Sequence, residues 1–389
     1  MQRVCIPDVE YVERAKNAAR LMREVGLDAL VVNGNEADYA NTRYFSGFWP
    51  LFERCGVAIN PDGDAALMVG PESSIYAEDF GKISNIFVMS EYRESADPDY
   101  PHLRLQTYRD VFAQLGIDPS PKRIGVASVL DTNVVQWRGL AEAFPDAELV
   151  DARRLMTQLR SHKTENEISC LREAARITEL ATHAVVEALR PGVTELEMVG
   201  VAQQAIYANG AEYEGLPMYV FSEKSTKHAI SRSSYREINK GDIVQLNLSA
   251  KIDGYSPSIG MPVSMGPISG EKREIVEFVR EMHMWTERKL APGLVAADIA
   301  KAFEAEFNRR GMGAAFLYGP CHGLGLIEVE APWMETTSDY RLEPQMTFQI
   351  DTFGMGSAFG CRWEKPIVVR DKGIDLLSPQ LPEIIEVDC

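Results

Sequence analysis

One helix stop, written twice, constrains this chain more than any other feature. Leu189-Arg190-Pro191-Gly192-Val193 closes a long helical period, and about a hundred residues later Leu290-Ala291-Pro292-Gly293-Leu294 closes another. Proline cannot continue a helix, and glycine takes the left-handed conformation that ends one. Each stop is followed by a shorter helical run, to Asn209-Gly210 in the first copy and to Gly311 in the second. The helices of the first copy carry start signals as well: Thr164 with Glu167, and Thr194 with Glu197, are capping boxes that satisfy the free N–H groups of a first turn. A repeated unit of two helices and a sheet segment predicts one pseudo-symmetric sheet. Its helices cover one face and leave the other open for a site.

Upstream the pattern changes. An amphipathic run ends at Gly26, and apolar stretches Ala29–Val32, Ala65–Val69 and Ile124–Ala127 alternate with helical segments, which predicts an α/β layer domain. Around Arg153 to Lys163 the chain turns polar and basic just before the first capping box. The boundary is therefore placed there, giving domains 1–158 and 159–389 and a fold of the α/β plus α+β class. A chain of 389 residues is long enough for two cores.

The formal charge of −17 repels nucleic acid, and no apolar run is long enough to span a bilayer, so neither nucleic acid nor membrane is expected as a partner. The six cysteines form no CxxC pair, and the first residues lack a charged start followed by an apolar block. A reduced, cytoplasmic protein is the expectation.

Several short segments carry the chemistry. Ile243–Ser249 alternates, with Val244, Leu246 and Leu248 on one face and Gln245, Asn247 and Ser249 on the other. Asp253-Gly254 is a hairpin signal that would set Ser258 opposite Ser249 and Gly260 opposite Asn247. Thr347, Gln349 and Asp351 share a strand face, as do Arg362 and Glu364, and His322 sits in the glycine-punctuated Cys321-His322-Gly323-Leu324-Gly325. Tyr255 and Cys321 fall near the inferred pocket without an assigned role. The acidic run Glu328, Glu330, Glu335 reads as a solvated loop.

In order, Gly241-Asp242, Asn247, Ser258, His322-Gly323-Leu324-Gly325, Asp351 and Arg362-Trp363-Glu364 resemble the pattern shared by prolidase, aminopeptidase P, methionine aminopeptidase and creatinase. The resemblance implies a creatinase-type N-terminal α/β domain followed by a pseudo-symmetric pita-bread domain. Peptidases of that family hold two divalent ions on two aspartates, a histidine and two glutamates; the matching positions here read Asn247, Ser258, His322, Asp351 and Glu364. Neutral asparagine and serine cannot offset and bridge two ions. A second family histidine is Val329 here, although the glutamate after it is matched by Glu330.

Creatinase resembles the pattern most, since it too has asparagine first and works without metal. Phe52-Glu53-Arg54 is similar to the creatinase segment that reaches the partner subunit's site, and His228 to its acid-base histidine, though the loop is two residues longer here. Gly260 and Trp333 replace residues by which creatinase holds its substrate, which argues against creatine itself.

The expectation is therefore a homodimeric, metal-independent hydrolase of a C–N bond in a small polar metabolite such as an amidine, urea or cyclic amide. No cofactor is expected. His228, His322, Asp351 and Glu364 are the expected catalytic residues, with His228 as acid-base group, and Phe52, Arg54, Asn247, Ser258 and Glu330 are expected to bind substrate. Two alternatives stay open: a mononuclear metal-dependent Xaa-Pro peptidase-like hydrolase, with the ion on His322, Asp351 and Glu364, and a non-catalytic pita-bread binding protein.

Overall fold

The computed structural model describes residues 3–378 and 383–389. It divides into two compact units, Ile6–Arg160 and Ser161–Cys389, the second taking in the first few residues of the chain as well. The polar, basic stretch at the division is not an extended linker but the helix Arg153–Ser161.

The N-terminal unit is built on a six-stranded mixed sheet. Its strands are β1 (Ala29–Gly34), β2 (Cys55–Ile59), β3 (Ala65–Val69), β4 (Ile86–Val88), β5 (Arg123–Val126) and β6 (Glu148–Asp151), in the order β4-β3-β2-β1-β5-β6. Helix Asp8–Val25 precedes β1 and stops at Gly26, whose φ of 68° lets its N–H turn back to the carbonyls of Arg23 and Met22. Only a residue that tolerates the left-handed region closes a helix this way cheaply. Val31, Met68, Tyr92, Phe112 and Val126 fill the core on one side of the sheet.

The C-terminal unit carries the repeat. Helix Glu165–Ala188 starts on the Thr164/Glu167 capping box and helix Glu195–Ala208 on the Thr194/Glu197 one. In the second copy they correspond to Gly270–Lys289 and Ala296–Arg309. The strands are β7 (Tyr213–Glu214), β8 (Tyr219–Ser222), β9 (Ile243–Lys251), β10 (Ser258–Met265), β11 (Cys321–Gly323), β12 (Glu330–Met334), β13 (Thr347–Met355), β14 (Gly360–Arg370), β15 (Gly373–Leu376) and β16 (Ile385–Val387). Among the described residues they form a ten-stranded sheet whose main path is β12-β11-β13-β14-β10-β9-β7.

The long helix of the first copy packs on β9 and β10, and that of the second on β13 and β14. Two bonds fix these seatings: Ala250 N–H donates to Thr178 Oγ1 at 2.9 Å, and a ring nitrogen of His283 lies 3.2 Å from the Trp363 carbonyl oxygen. The hairpin register is the one the Asp253-Gly254 turn implies, with Ser258 opposite Ser249 and Gly260 opposite Asn247. Alternation gives one core face and one lining face, and the lining face is itself buried: every residue of β9 and β10 is. Their second face is covered by side chains of the neighbouring strands and of the turn between β11 and β12.

Candidate functional site

The register of four strands builds the floor of the site. Asn247 on β9 lies opposite Gly260 on β10, Gly260 opposite Glu364 on β14, and Glu364 opposite Asp351 on β13. Gly260 is what lets this row close up: a Cβ there would sit 2.7 Å from Asn247 Nδ2 and 2.8 Å from Glu364 Cβ. Through the gap Asn247 Nδ2 donates to Glu364 Oε2 at 2.6 Å, and Ser258, two residues before Gly260 on the same face, reaches the same oxygen at 2.5 Å. Gln245 braces the row, donating to Asn247 Oδ1 at 3.0 Å and accepting from Arg362 N–H at 2.7 Å.

A cavity of about 330 Å³ opens above this floor. Asn247, His322, Glu328, Asp351, Arg362 and Glu364 form its polar part; Leu216, Tyr219, Ile230, Leu317, Tyr318, Val329 and Trp333 form apolar walls. His322 is buried, with Nδ1 2.9 Å from the carbonyl oxygen of Gly323. Donation from Nδ1 to that oxygen leaves Nε2 as the lone-pair nitrogen, and Nε2 faces Glu328 Oε1 at 3.8 Å. Arg362 Nε lies 3.3 Å from Asp351 Oδ1 and Nη1 lies 3.6 Å from Glu364 Oε1, while Nη2 donates to the Ala229 carbonyl at 3.0 Å. The Arg362 guanidinium also stacks over Tyr318 and Phe353.

Electrostatics here is dominated by burial. Glu364 is pushed well above the usual carboxylate range by loss of solvent and by Asp351, with Arg362 acting in the opposite sense. Glu328 is also raised, first by burial. Burial works against the charged form of Arg362, but Asp351, Tyr318 and Glu364 more than offset it and hold the guanidinium charged. Hydrogen-bond counting gives the same picture. The single Ser258 proton faces both Glu364 Oε2 at 2.5 Å and Glu328 Oε1 at 3.0 Å. A hydroxyl donates once, so the second contact needs a proton or another cation at the carboxyl pair.

Of the residues singled out in the sequence, the structure brings together Asn247, Ser258, His322, Asp351 and Glu364. It does not bring His228 to the cavity: that side chain is exposed, its Nδ1 lies 3.2 Å from Ser231 Oγ, and Ala229 and Ile230 line the rim instead. Glu330 is not a lining residue either. Its carboxylate is buried against Lys163, with Nζ to Oε1 at 2.8 Å.

Phe52 and Arg54 belong to the N-terminal unit. Phe52 is 75% exposed at a positive φ of 58°, and Arg54 donates to the Arg93 carbonyl at 3.2 Å and to Ser95 Oγ at 3.3 Å. Tyr255 is buried and donates to Glu167, and the thiol of Cys321, buried and next to Asp351, is pushed well up.

The sequence reading missed Glu328. The acidic run predicts a solvated loop there, yet Glu328 is 8% exposed and its carboxylate belongs to the floor. The turn between β11 and β12 contains Gly325, follows a register shift at His322/Gly323, and folds Glu328 back over Ser258. Only its place a few residues after His322 in a glycine-rich turn could have signalled that.

The fold and floor define a two-unit scaffold whose polar site lies in its C-terminal sheet. Residues 169–371 match the model of metallopeptidase family M24, and residues 14–162 match the creatinase/prolidase N-terminal domain. The chain belongs to metallopeptidase family M24, the pita-bread family expected from the site pattern, and its N-terminal unit is of the creatinase/prolidase type. It is 25% identical over 378 residues to the uncharacterized peptidase YqhT of Bacillus subtilis, covering 96% of this chain and 99% of that protein. It is 23% identical to a Xaa-Pro dipeptidase of Pyrococcus furiosus, covering 96% of this chain and 99% of that enzyme. The crystal structure of an X-Pro aminopeptidase from Thermotoga maritima shares the fold with a TM-score of 0.82 at 22% identity, over 96% of this chain and 99% of that one. No helix among the described residues is long and apolar enough to cross a membrane.

Proposed function

We propose that the chain hydrolyses a peptide-type C–N bond, as the names of its prolidase-like relatives suggest, at the C-terminal cavity. The observation that carries this reading is the convergence of His322, Glu328, Asp351, Arg362 and Glu364 on one buried floor in a unit of the M24 family.

The family's two-ion site does not fit these residues. Asn247 and Ser258 stand where two carboxylates would, and both donate hydrogen bonds into Glu364. A single ion does fit, because His322, Glu328 and Glu364 can each turn a ligand atom to a common point, all within 4.8 Å of one another. Held by His322, Glu328 and Glu364, such an ion would supply Lewis-acid polarisation of the scissile carbonyl.

The chain's own residues do the rest. Asp351 accepts from an N–H-rich or cationic part of the substrate, Arg362 bridges Asp351 and Glu364 and offsets their repulsion, and the apolar walls exclude water and seat an apolar body. Asn247 and Ser258 both hold Oε2 of Glu364, which leaves its other oxygen for the ion.

The test is hydrolysis of a panel of Xaa-Pro dipeptides and tripeptides, amidines, ureas and cyclic amides, with and without added Mn²⁺ or Zn²⁺, by the parent and by Glu364→Gln. Cleavage of a Xaa-Pro bond that rises with metal and is lost in the variant is expected. No amide cleavage by the parent, or equal cleavage by the variant, overturns the reading.

A second reading is favoured by the two neutral residues themselves: metal-independent, creatinase-like hydrolysis of a small polar metabolite. Its mark is turnover of a urea, amidine or cyclic amide that a chelator leaves unchanged.

A further inference from the structure

The floor holds three carboxylates, Glu328, Asp351 and Glu364, against one guanidinium, Arg362. Counted as ionised groups that leaves two negative charges without a partner in a site where all four residues are at most 9% exposed. Uncompensated charge at such depth is costly, so the arrangement calls for a cation or for protons. Two further observations separate these. Asp351 Oδ1 already faces Arg362 Nε at 3.3 Å, which leaves the surplus charge on Glu328 and Glu364. His322, with Nδ1 committed to the Gly323 carbonyl, presents Nε2 to Glu328 at a distance too long for a hydrogen bond. A backbone carbonyl on the far nitrogen is the usual brace of a metal-binding imidazole.

We propose that this chain binds one divalent ion on His322, Glu328 and Glu364, with Glu328 recruited from the turn between β11 and β12 to supply the anionic ligand that Asn247 and Ser258 cannot. Asp351 is not part of the set. The guanidinium of Arg362 lies against it and stands between its carboxylate and that of Glu364. One imidazole and two carboxylates suit Zn²⁺ or Mn²⁺, and a divalent charge balances the two surplus negatives. The arrangement differs by one residue from the set His322, Asp351 and Glu364 of the metal-dependent alternative read from the sequence. The difference comes from which carboxylate Arg362 already occupies.

The inference rests on the proposed function only for the place of the working site, and its readout is binding rather than turnover. The full chain, stripped with chelator and dialysed, is titrated with ZnCl₂ and separately with MnCl₂ by calorimetry, and bound metal is counted by elemental analysis. One ion per chain is expected for the parent. Glu328→Gln should weaken binding by about 100-fold or more, since even residues behind the ligands change affinity by about 10–100-fold. Asp351→Asn should stay within a few-fold of the parent. Circular dichroism melts of each variant check that the fold is kept, and His322→Gln provides a second ligand test if Glu328→Gln does not fold.

Two ions per chain, no ion in the parent, or parent-like binding by Glu328→Gln overturns the proposal. So does loss of binding in folded Asp351→Asn with retention in Glu328→Gln. Binding of one ion without amide hydrolysis would leave the ion site standing and sink the proposed activity. Hydrolysis without a bound ion would do the reverse.

Discussion

Replacing Lys163 by methionine tests how the turn carrying Glu328 is held. Lys163 Nζ and Glu330 Oε1 are 2.8 Å apart, with side-chain exposures of 2% and 6%, so the pair has little access to water. Removing the ammonium takes away the cation 2.8 Å from the buried Glu330 carboxylate, and breaking such a pair from one side costs about 3–5 kcal/mol. In a folding unit of this size each kcal/mol is worth about 2–4 °C, so Lys163→Met should lower the melting of the C-terminal unit by roughly 6–20 °C. Lys163→Met/Glu330→Leu removes both charges and should recover most of that loss, because two apolar side chains replace a desolvated pair. The assay is calorimetry of the full chain with a double-mutant cycle. A single variant melting within about 2 °C of the parent, or a double variant no better than the single one, would refute the reasoning. Gly325 makes the pair's position strict, since a Cβ there would lie 2.3 Å from Glu330 Oε1.

Other outcomes follow from the same geometry. Burial and the neighbouring Asp38 raise half-buried Asp131 to about 6. A raised folded value gives stability that is complete below the unfolded carboxylate range and is lost as pH rises through about 6. Asp131→Asn should thus match the parent near pH 4 and exceed it by about 1 kcal/mol at pH 8, a figure discounted for exposure, in urea melts at the two pH values. His228→Ala should keep turnover within about threefold of the parent; a loss of about 10²–10⁴-fold would restore His228 as the acid-base group. Glu195 is fully buried and accepts hydrogen bonds from Ser222, Ser225 and Ser234, which frame the loop carrying Ala229 and Ile230 to the cavity rim. Glu195→Leu should cost about 1–3 kcal/mol or more by denaturation, and an unchanged stability would remove that role. The homodimer expected from the Phe52 and Arg54 segment is carried forward as a proposal, checked by sedimentation at micromolar concentration.

Much of the architecture was legible because it is encoded locally. Capping boxes at Thr164 and Thr194, the Pro-Gly stops and the Asp253-Gly254 turn each act within a few residues, so helix ends and the β9/β10 register could be read directly. The row of Asn247, Gly260, Glu364 and Asp351 followed from alternation and from the family pattern once the strands were paired. What the sequence could not determine is which polar groups meet after folding. Glu328 and Glu330 are near neighbours in the same turn, yet one joins the floor through Ser258 and the other is consumed by Lys163, far away in the chain. His228 precedes two rim residues but turns outward to Ser231, and Arg362 takes up Asp351. These outcomes depend on the register shift at His322/Gly323 and on distances across strands. The energy of a buried charge is fixed by partners brought within about 4 Å, and only the tertiary structure supplies those.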